Sequence, residues 1–328
     1  MLLTNATLNE NIFSEPEMAL TRDGFGAALL ELGETNKQVV ALCADLAEST
    51  RMLAFKEKYP ERYIEVGVAE QNLAAVASGL ANYGKIPFIA SYATFSPGRN
   101  NEQIRTTISL NNVPVKIVGS HAGLSVGPDG ATHQALEDIA LMRVQPNMTI
   151  LSPCDKEEAR KATLAAAAHP GPVYLRLARE KTPLMTTSET PFVFGKAQMF
   201  WLGENPQVAI FATRPLLYHA LVAAKELDGE IPVSVMNIHT IKPLDKNAVI
   251  AAARDAGAVV VVEEHQVAGG LGSAIAEVLA EEYPVPVQFV GVRDQFGQSG
   301  TSEELLEYYK LNSAHIVTAV RKAVMRKK

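Results

Sequence analysis

Short runs rich in Val and Ile recur along this chain, each followed by a longer amphipathic stretch, and that alternation constrains the fold more than any other feature. Such runs, four to eight residues long, read as strands buried on both faces. Strands of that kind pair in parallel, and the stretches between them return over the sheet as helices. The first series predicts strands at Gln38–Cys43, Tyr63–Val66, Ile86–Ser91, Val115–Gly119, Thr149–Ser152 and Val173–Leu177. Helices such as Glu70–Tyr83 and Asp155–His169 fall between them, and Asp155 is placed to cap the second of these.

From Glu180 to about Gly195 the pattern stops in a polar connector, KTPLMTTSETPFVFG, without helical or alternating periodicity. A boundary belongs there. A second series follows at Val208–Ala212, Val233–Met236, Val259–Val262 and Val287–Val290. The expectation is α/β: two domains, each a mostly parallel sheet flanked by helices. The first spans 1–185 with a short N-terminal leader, and the second spans 196–328. With 328 residues, 47% of them hydrophobic and 20% charged, each half can bury its own core.

The net charge of −6 and the lack of a basic patch argue against nucleic acid as a partner. Two cysteines, Cys43 and Cys154, make no disulfide framework, and no Cys or His spacing suits a metal. The first residues lack the pattern of a signal peptide, and no apolar run reaches membrane-spanning length. The chain reads as cytoplasmic, with no membrane partner. The string GGLGS lacks the third glycine of a dinucleotide fingerprint, so a nicotinamide cofactor is rejected.

In open α/β sheets, ligands collect at the carboxyl ends of the strands. In the first domain, Asp45 and Ser49 follow one strand end, Glu70 the next, and Tyr92 and Phe95 a third. His121 follows a fourth, in a loop that runs on through GPDGATHQ with Asp129 and His133, and Arg179 follows the last. Each has a plain structural reading alone. Glu70 would serve as a first-turn carboxylate on a helix dipole, Tyr92 and Phe95 as packing residues, and Arg179 as a surface ion-pair partner. Pro-Asp-Gly is ordinary turn chemistry. Their common sheet edge lifts the joint reading above the separate ones.

The same residues carry a resemblance that covers essentially the whole chain. VGVAEQNLAAVASGLANYGKIPFIASYATF, at 66–95, resembles the glutamate-bearing segment of transketolases and deoxyxylulose-phosphate synthases. SHAGLSVGPDGATHQALEDIALMRVQPNMTILSPCD, at 120–155, resembles the transketolase substrate loop, and VVVVEEHQVAGGLGSAIAEVL is similar to the transketolase C-terminal domain. VAEQN and GPDGATHQ together are highly specific; GGLGS alone is weak. Transketolases usually carry a preceding diphosphate-binding domain, whose Gly-Asp-Gly and later Asn hold a metal ion. No Gly-Asp-Gly occurs here. The resemblance therefore implies the pyrimidine-binding and C-terminal half of a split transketolase, with no metal ligand in this chain. It also implies a separate partner chain holding the Mg2+ and the diphosphate, in a heterotetramer of two copies of each.

The implied cofactor is thiamine diphosphate. By resemblance, Glu70 hydrogen-bonds N1′ of its aminopyrimidine, Phe95 stacks on that ring, Tyr92 lies nearby and Asp45 approaches the thiazolium side. His121 and His133 match family histidines that contact the sugar and assist proton transfers. Asp129 matches the aspartate that reads a donor hydroxyl. Arg22, Ser49 and Arg179 match the group that grips the sugar phosphate, where a guanidinium fork suits two phosphate oxygens. Around SPGRNNEQIR the match needs an inserted residue, and Arg99 is not carried over. Deoxyxylulose-phosphate synthases usually have Arg in place of His121, and 2-oxoacid dehydrogenase beta subunits lack GPDGATHQ. Ketol transfer between phosphorylated sugars is the activity implied. Open alternatives are a deoxyxylulose-phosphate synthase-like or unusual-sugar enzyme, and a catalytically silent regulatory partner.

Overall fold

A computed structural model describes residues 1–327; Lys328, the last residue of the second expected domain, and the side chain of Asn5 lie outside the description. In the first half the strands are β1 Met18–Leu20, β2 Val39–Cys43, β3 Tyr63–Glu65, β4 Ile86–Tyr92, β5 Lys116–Ser120, β6 Thr149–Leu151, β7 Val173–Arg176 and β8 Lys181–Pro183. In the second half they are β9 Gln198–Leu202, β10 Val208–Ala212, β11 Val233–Asn237, β12 Thr240–Lys242, β13 Val259–Gln266 and β14 Val287–Val292. The first sheet runs β12-β6-β7-β5-β4-β2-β3 and the second β14-β13-β10-β11-β9. Both are parallel except at one edge each, where β12 and β9 pair antiparallel. Two α/β domains of mostly parallel sheets are what the strand pattern predicts. Among the described residues, no helix is long and apolar enough to cross a membrane.

Central strands such as Val39–Cys43 and Val208–Ala212 are buried along their whole length, as their unbroken apolar runs require. On one face of the first sheet, Phe25 and Leu29 pack with Ala159, Ala162 and Ala166 from the Lys156–Ala168 helix. On the other, Leu73, Ala74 and Ala77 of the Glu70–Asn82 helix pack into a cluster that continues to Ile238, Val249 and Leu271 of the second domain. The apolar interior is therefore shared across the boundary.

Three short pieces depart from the expected division. Strand β12 leaves the second domain to add an edge to the first sheet, against β6. The leader, grouped in the sequence with the first domain, lies along the second sheet. There Leu3 N–H donates to Phe200 O at 3.1 Å, and Ala6 and Ile12 join the second domain's cluster. The connector is structured in part: β8 pairs with β1. Beyond it, Asp155 caps its helix through Glu158 N–H and also accepts the N–H groups of Met185 and Thr186 at 2.8 and 2.6 Å.

Polar groups also cross the domain boundary. Arg176 grips Asp138 through two hydrogen bonds, at 2.6 and 3.0 Å, with both side chains buried, and donates to the Glu264 carbonyl at 3.0 Å. Nearby, Glu158 accepts from Cys154 N–H and from Asn237 Nδ2, both at 2.6 Å. Burial, with Asp155 adding its charge, pushes the Glu158 carboxyl up to about 7 from an ordinary 4.5. The native chain then keeps a proton that the unfolded chain releases between pH 4.5 and 7, so stability falls as pH rises across that window. Glu158→Gln loses one of the two acceptors at every pH, but between pH 4.5 and 8 its stability is expected to fall less than the parent's, by up to about 3 kcal/mol. Glu263, also pushed up to about 7 by burial, keeps its own share in both proteins. The same pH dependence of melting in parent and variant between pH 4.5 and 8 would remove the assignment.

Candidate active site

The register of the first sheet brings three strand exits together. Tyr92 at the end of β4 pairs with Ser120 at the end of β5, and Gly119 pairs with Arg176 at the end of β7. Tyr92, His121 and Arg179 therefore leave the sheet side by side. The β1–β8 ribbon adds Arg22: Thr21 Oγ1 accepts Ala178 N–H at 3.0 Å, which holds the start of the Thr21–Thr35 helix beside the β7 exit.

On this edge the rings form a row. His121 stacks on Tyr92 with centroids 4.0 Å apart, and Tyr92 stacks on Phe95 at 5.8 Å. His133 meets Phe95 and Tyr92 edge-on, at 5.3 and 6.1 Å. Arg22 Nη1 donates to His121 Nε2 at 2.9 Å. A guanidinium cannot accept, so Nε2 carries the lone pair, and Nδ1–H donates to Ser120 Oγ at 2.8 Å. Burial, reinforced by Arg22 and Arg179, pushes His121 down to about 3. His121 is thus a neutral imidazole with a fixed tautomer and both ring nitrogens engaged. The other histidine of the row, His133, has its Nδ1 at 3.0 Å from the Thr132 hydroxyl.

The GPDGATHQ loop is tied down from behind. Gln134 Nε2 donates to the carbonyls of Gly127 and, across the boundary, Gln298 at 3.3 and 3.0 Å, and Arg179 Nη1 donates to the Val126 carbonyl. Gly127 has φ +74° in the middle of the loop, a conformation that favours glycine.

Glu70 is the first residue of its helix and only 5% exposed. Its carbonyl accepts from the buried Asn100 Nδ2 at 3.0 Å, which fixes the helix start. Its carboxylate accepts from Arg99 Nη1 at 3.2 Å, and the Arg99 guanidinium lies 4.2 Å from the Phe95 ring centre. Val68, Gln71, Asn72 and Arg99 surround Glu70 in an open cleft of about 570 Å3. A cavity of about 830 Å3 lies elsewhere, between the domains beside Met18, Glu180 and His219. It is larger, but none of the aromatic row faces it.

Asp45, Ser49 and Asp129 are not drawn into the row: among the described residues no hydrogen bond, ion pair or ring contact joins them to it. Asp45 is exposed, with φ +58° and its N–H on Glu65 Oε1 at 2.7 Å; Asp129 is exposed at the end of the short Leu124–Asp129 helical turn. Arg99 is the residue that sequence reasoning passed over. Its signal was its place four residues after Phe95 on the one stretch where the resemblance needed an insertion. In the second domain, Glu263 accepts Leu271 N–H and Gly272 N–H at 2.7 and 2.8 Å, so GGLGS is a helix start capped from within. A Cβ on Gly270 would lie 2.0 Å from Glu263 Oε2, which accounts for that glycine without a nucleotide.

Two family models match the chain: transketolase, pyrimidine binding domain, over residues 17–185, and transketolase, C-terminal domain, over residues 196–316. The chain belongs to the transketolase family. The 6-deoxy-6-sulfo-D-fructose transketolase subunit SqwH of Clostridium sp. (strain MSTE9) is 41% identical to this transketolase chain over 307 residues, 93% of this chain and 95% of that one. A subunit of the apulose-4-phosphate transketolase of Phocaeicola vulgatus is 35% identical over 301 residues, 91% of this chain and 96% of that one. Among solved structures, a split gene transketolase described as an inactive beta4 tetramer superposes with a TM-score of 0.88 at 45% identity. It matches 94% of this chain and 99% of that one. The family implies dependence on thiamine diphosphate. The groups present fit one end of that molecule: a buried carboxylate on an open cleft, and an aromatic face linked to it through Arg99.

Proposed function

We propose that this chain is the pyrimidine-side subunit of a split transketolase, which moves a two-carbon ketol unit between phosphorylated sugars together with a separate chain that binds Mg2+ and the diphosphate. The observation that carries the reading is the buried Glu70 carboxylate opening on a cleft and linked through Arg99 to the Phe95 ring, in a chain without Gly-Asp-Gly. The inactive tetramer of a similar chain supports the dependence on a partner. Bound there, thiamine diphosphate supplies a carbon nucleophile and an electron sink for ketol transfer. Glu70 would hydrogen-bond a ring nitrogen of the aminopyrimidine and share a proton with it. Phe95 presents a face to the ring, Tyr92 backs Phe95, and Asp45 lies toward the thiazolium end. His121 orients a sugar oxygen, His133 passes protons, and Asp129 reads a hydroxyl. Arg22, Ser49 and Arg179 hold the anionic end of the sugar; the buried Nε of Arg22 has no acceptor and is free to take one.

A second reading concerns the anion alone. The relative named for 6-deoxy-6-sulfo-D-fructose favours a sulfonated sugar, because guanidinium groups accept a sulfonate on the same geometry as a phosphate.

The test is reconstitution. The purified chain, given thiamine diphosphate and Mg2+, is expected to show little cofactor binding by calorimetry and no ketol transfer. Adding the metal-binding chain should restore both, saturating near equal subunit amounts. Sugar phosphates and 6-deoxy-6-sulfofructose assayed side by side separate the two substrate readings. Robust transfer by the isolated chain, free of contaminating enzyme, would overturn the split-enzyme reading.

A further inference from the structure

Glu70 and Phe95 are the two groups that the proposed function assigns to the aminopyrimidine, and one side chain already engages both. Arg99 donates to Glu70 Oε1 at 3.2 Å while its guanidinium sits 4.2 Å from the Phe95 ring centre. A guanidinium is planar, delocalised and rich in N–H donors, so it meets an aromatic face and a carboxylate much as an aminopyrimidine does. We propose that Arg99 is a stand-in for the cofactor ring: it keeps the buried Glu70 carboxylate partnered in the ligand-free chain and swings out to solvent when the ring enters. The inference rests on the reading of Glu70 and Phe95 given above.

Local structure suits such a movement. The Arg99 backbone N–H donates to the Phe95 carbonyl at 2.8 Å, so the turn keeps its shape. Its neighbour Asn100 is fully buried, with Nδ2 bonded to both Glu70 O and Ser96 Oγ at 3.0 and 3.1 Å. The Arg99 side chain, by contrast, is 54% exposed and has open solvent to enter. Displacement then needs only side-chain torsions, at backbone atoms that stay fixed. A buried carboxylate without a partner is costly, which gives the stand-in a physical purpose before the cofactor arrives.

The consequence is competition. Removing Arg99 relieves the ring of having to displace a half-exposed ion pair and a cation–π contact, whose sizes predict about three- to thirty-fold tighter cofactor binding. The experiment titrates thiamine diphosphate with Mg2+ into the assembled two-chain enzyme, comparing the parent with Arg99→Ala, Arg99→Lys and Arg99→Met. Affinity is read by calorimetry and the two rate constants by stopped flow; melting curves confirm folding. Arg99→Ala and Arg99→Met should both bind more tightly through faster association, with release unchanged. Arg99→Lys, which keeps the charge but not the planar fork, should fall between them and the parent. Unchanged affinity, weaker binding, or an effect on release would overturn the inference, the last two making Arg99 a direct cofactor contact. If the parent binds no cofactor, or Glu70→Ala binds as well as the parent, the reading of the site fails instead. Glu70-dependent binding that is indifferent to Arg99 sinks the stand-in alone.

Discussion

Replacing Glu70 with alanine is expected to leave a folded, assembled protein that has lost nearly all ketol transfer. The carboxylate is 5% exposed and lines the cleft with Arg99, so in the proposed role no solvent group can substitute for it. Losing a positioned proton partner typically lowers rates by about 100- to 10,000-fold. The structural contribution is much smaller. A first-turn carboxylate on a helix dipole is worth roughly 0.3–1 kcal/mol, and its pairing with a half-exposed arginine adds little. Glu70→Gln keeps the shape and one acceptor but cannot take a proton, and should retain only a small part of the rate. Turnover and thermal melting on the same preparation decide the matter. An active Glu70→Ala enzyme would reduce Glu70 to a helix-start residue.

The largest expected loss of stability lies away from the cleft, at Asp138. Burial opposes its ionisation, but the Arg176 guanidinium outweighs that and holds Asp138 below the usual carboxylate range. Tyr174 donates to the same carboxylate at 2.6 Å. Asp138→Ala leaves the wholly buried Arg176 without its paired carboxylate, with Glu264 as the one acid between it and the buried Arg214, and breaking a buried pair in this way costs about 3–5 kcal/mol. Replacing the pair together, Asp138→Leu with Arg176→Met, should recover much of that loss, because no uncompensated charge remains. Denaturant titrations of the parent, the single and the double variant test both statements. A single variant within 1 kcal/mol of the parent would show that water reaches Arg176 and that the pair is not sealed.

What the sequence discloses about this molecule follows the reach of its signals. Strand runs such as Val39–Cys43 and Val259–Val262 are legible because burial on both faces leaves an unbroken apolar string. The convergence of Tyr92, His121 and Arg179 is legible for a related reason, since parallel strands deliver their exits to one edge. β12 and the β1–β8 ribbon are not legible. Each strand has three residues, too few for a period, and its partner lies far along the chain. Arg176 is invisible in another way. It stands as the last residue of a buried strand, where nothing nearby in sequence announces Asp138. The state of His121 also escapes sequence reasoning, because it depends on Arg22, ninety-nine residues away, and on the depth of burial.

The exchange of short segments between the halves makes each domain a part-owner of the other. Cut the chain in the connector and the first sheet loses its β12 edge, exposing the open side of β6, while the leader departs from the second sheet with the wrong fragment. Neither piece is then whole. A bare sheet edge invites pairing with other chains, so the severed first half carries an aggregation hazard that the intact chain has closed off. For any effort to shuffle parts among relatives, the natural cassette is the two domains together, leader included, rather than the pyrimidine-binding domain alone.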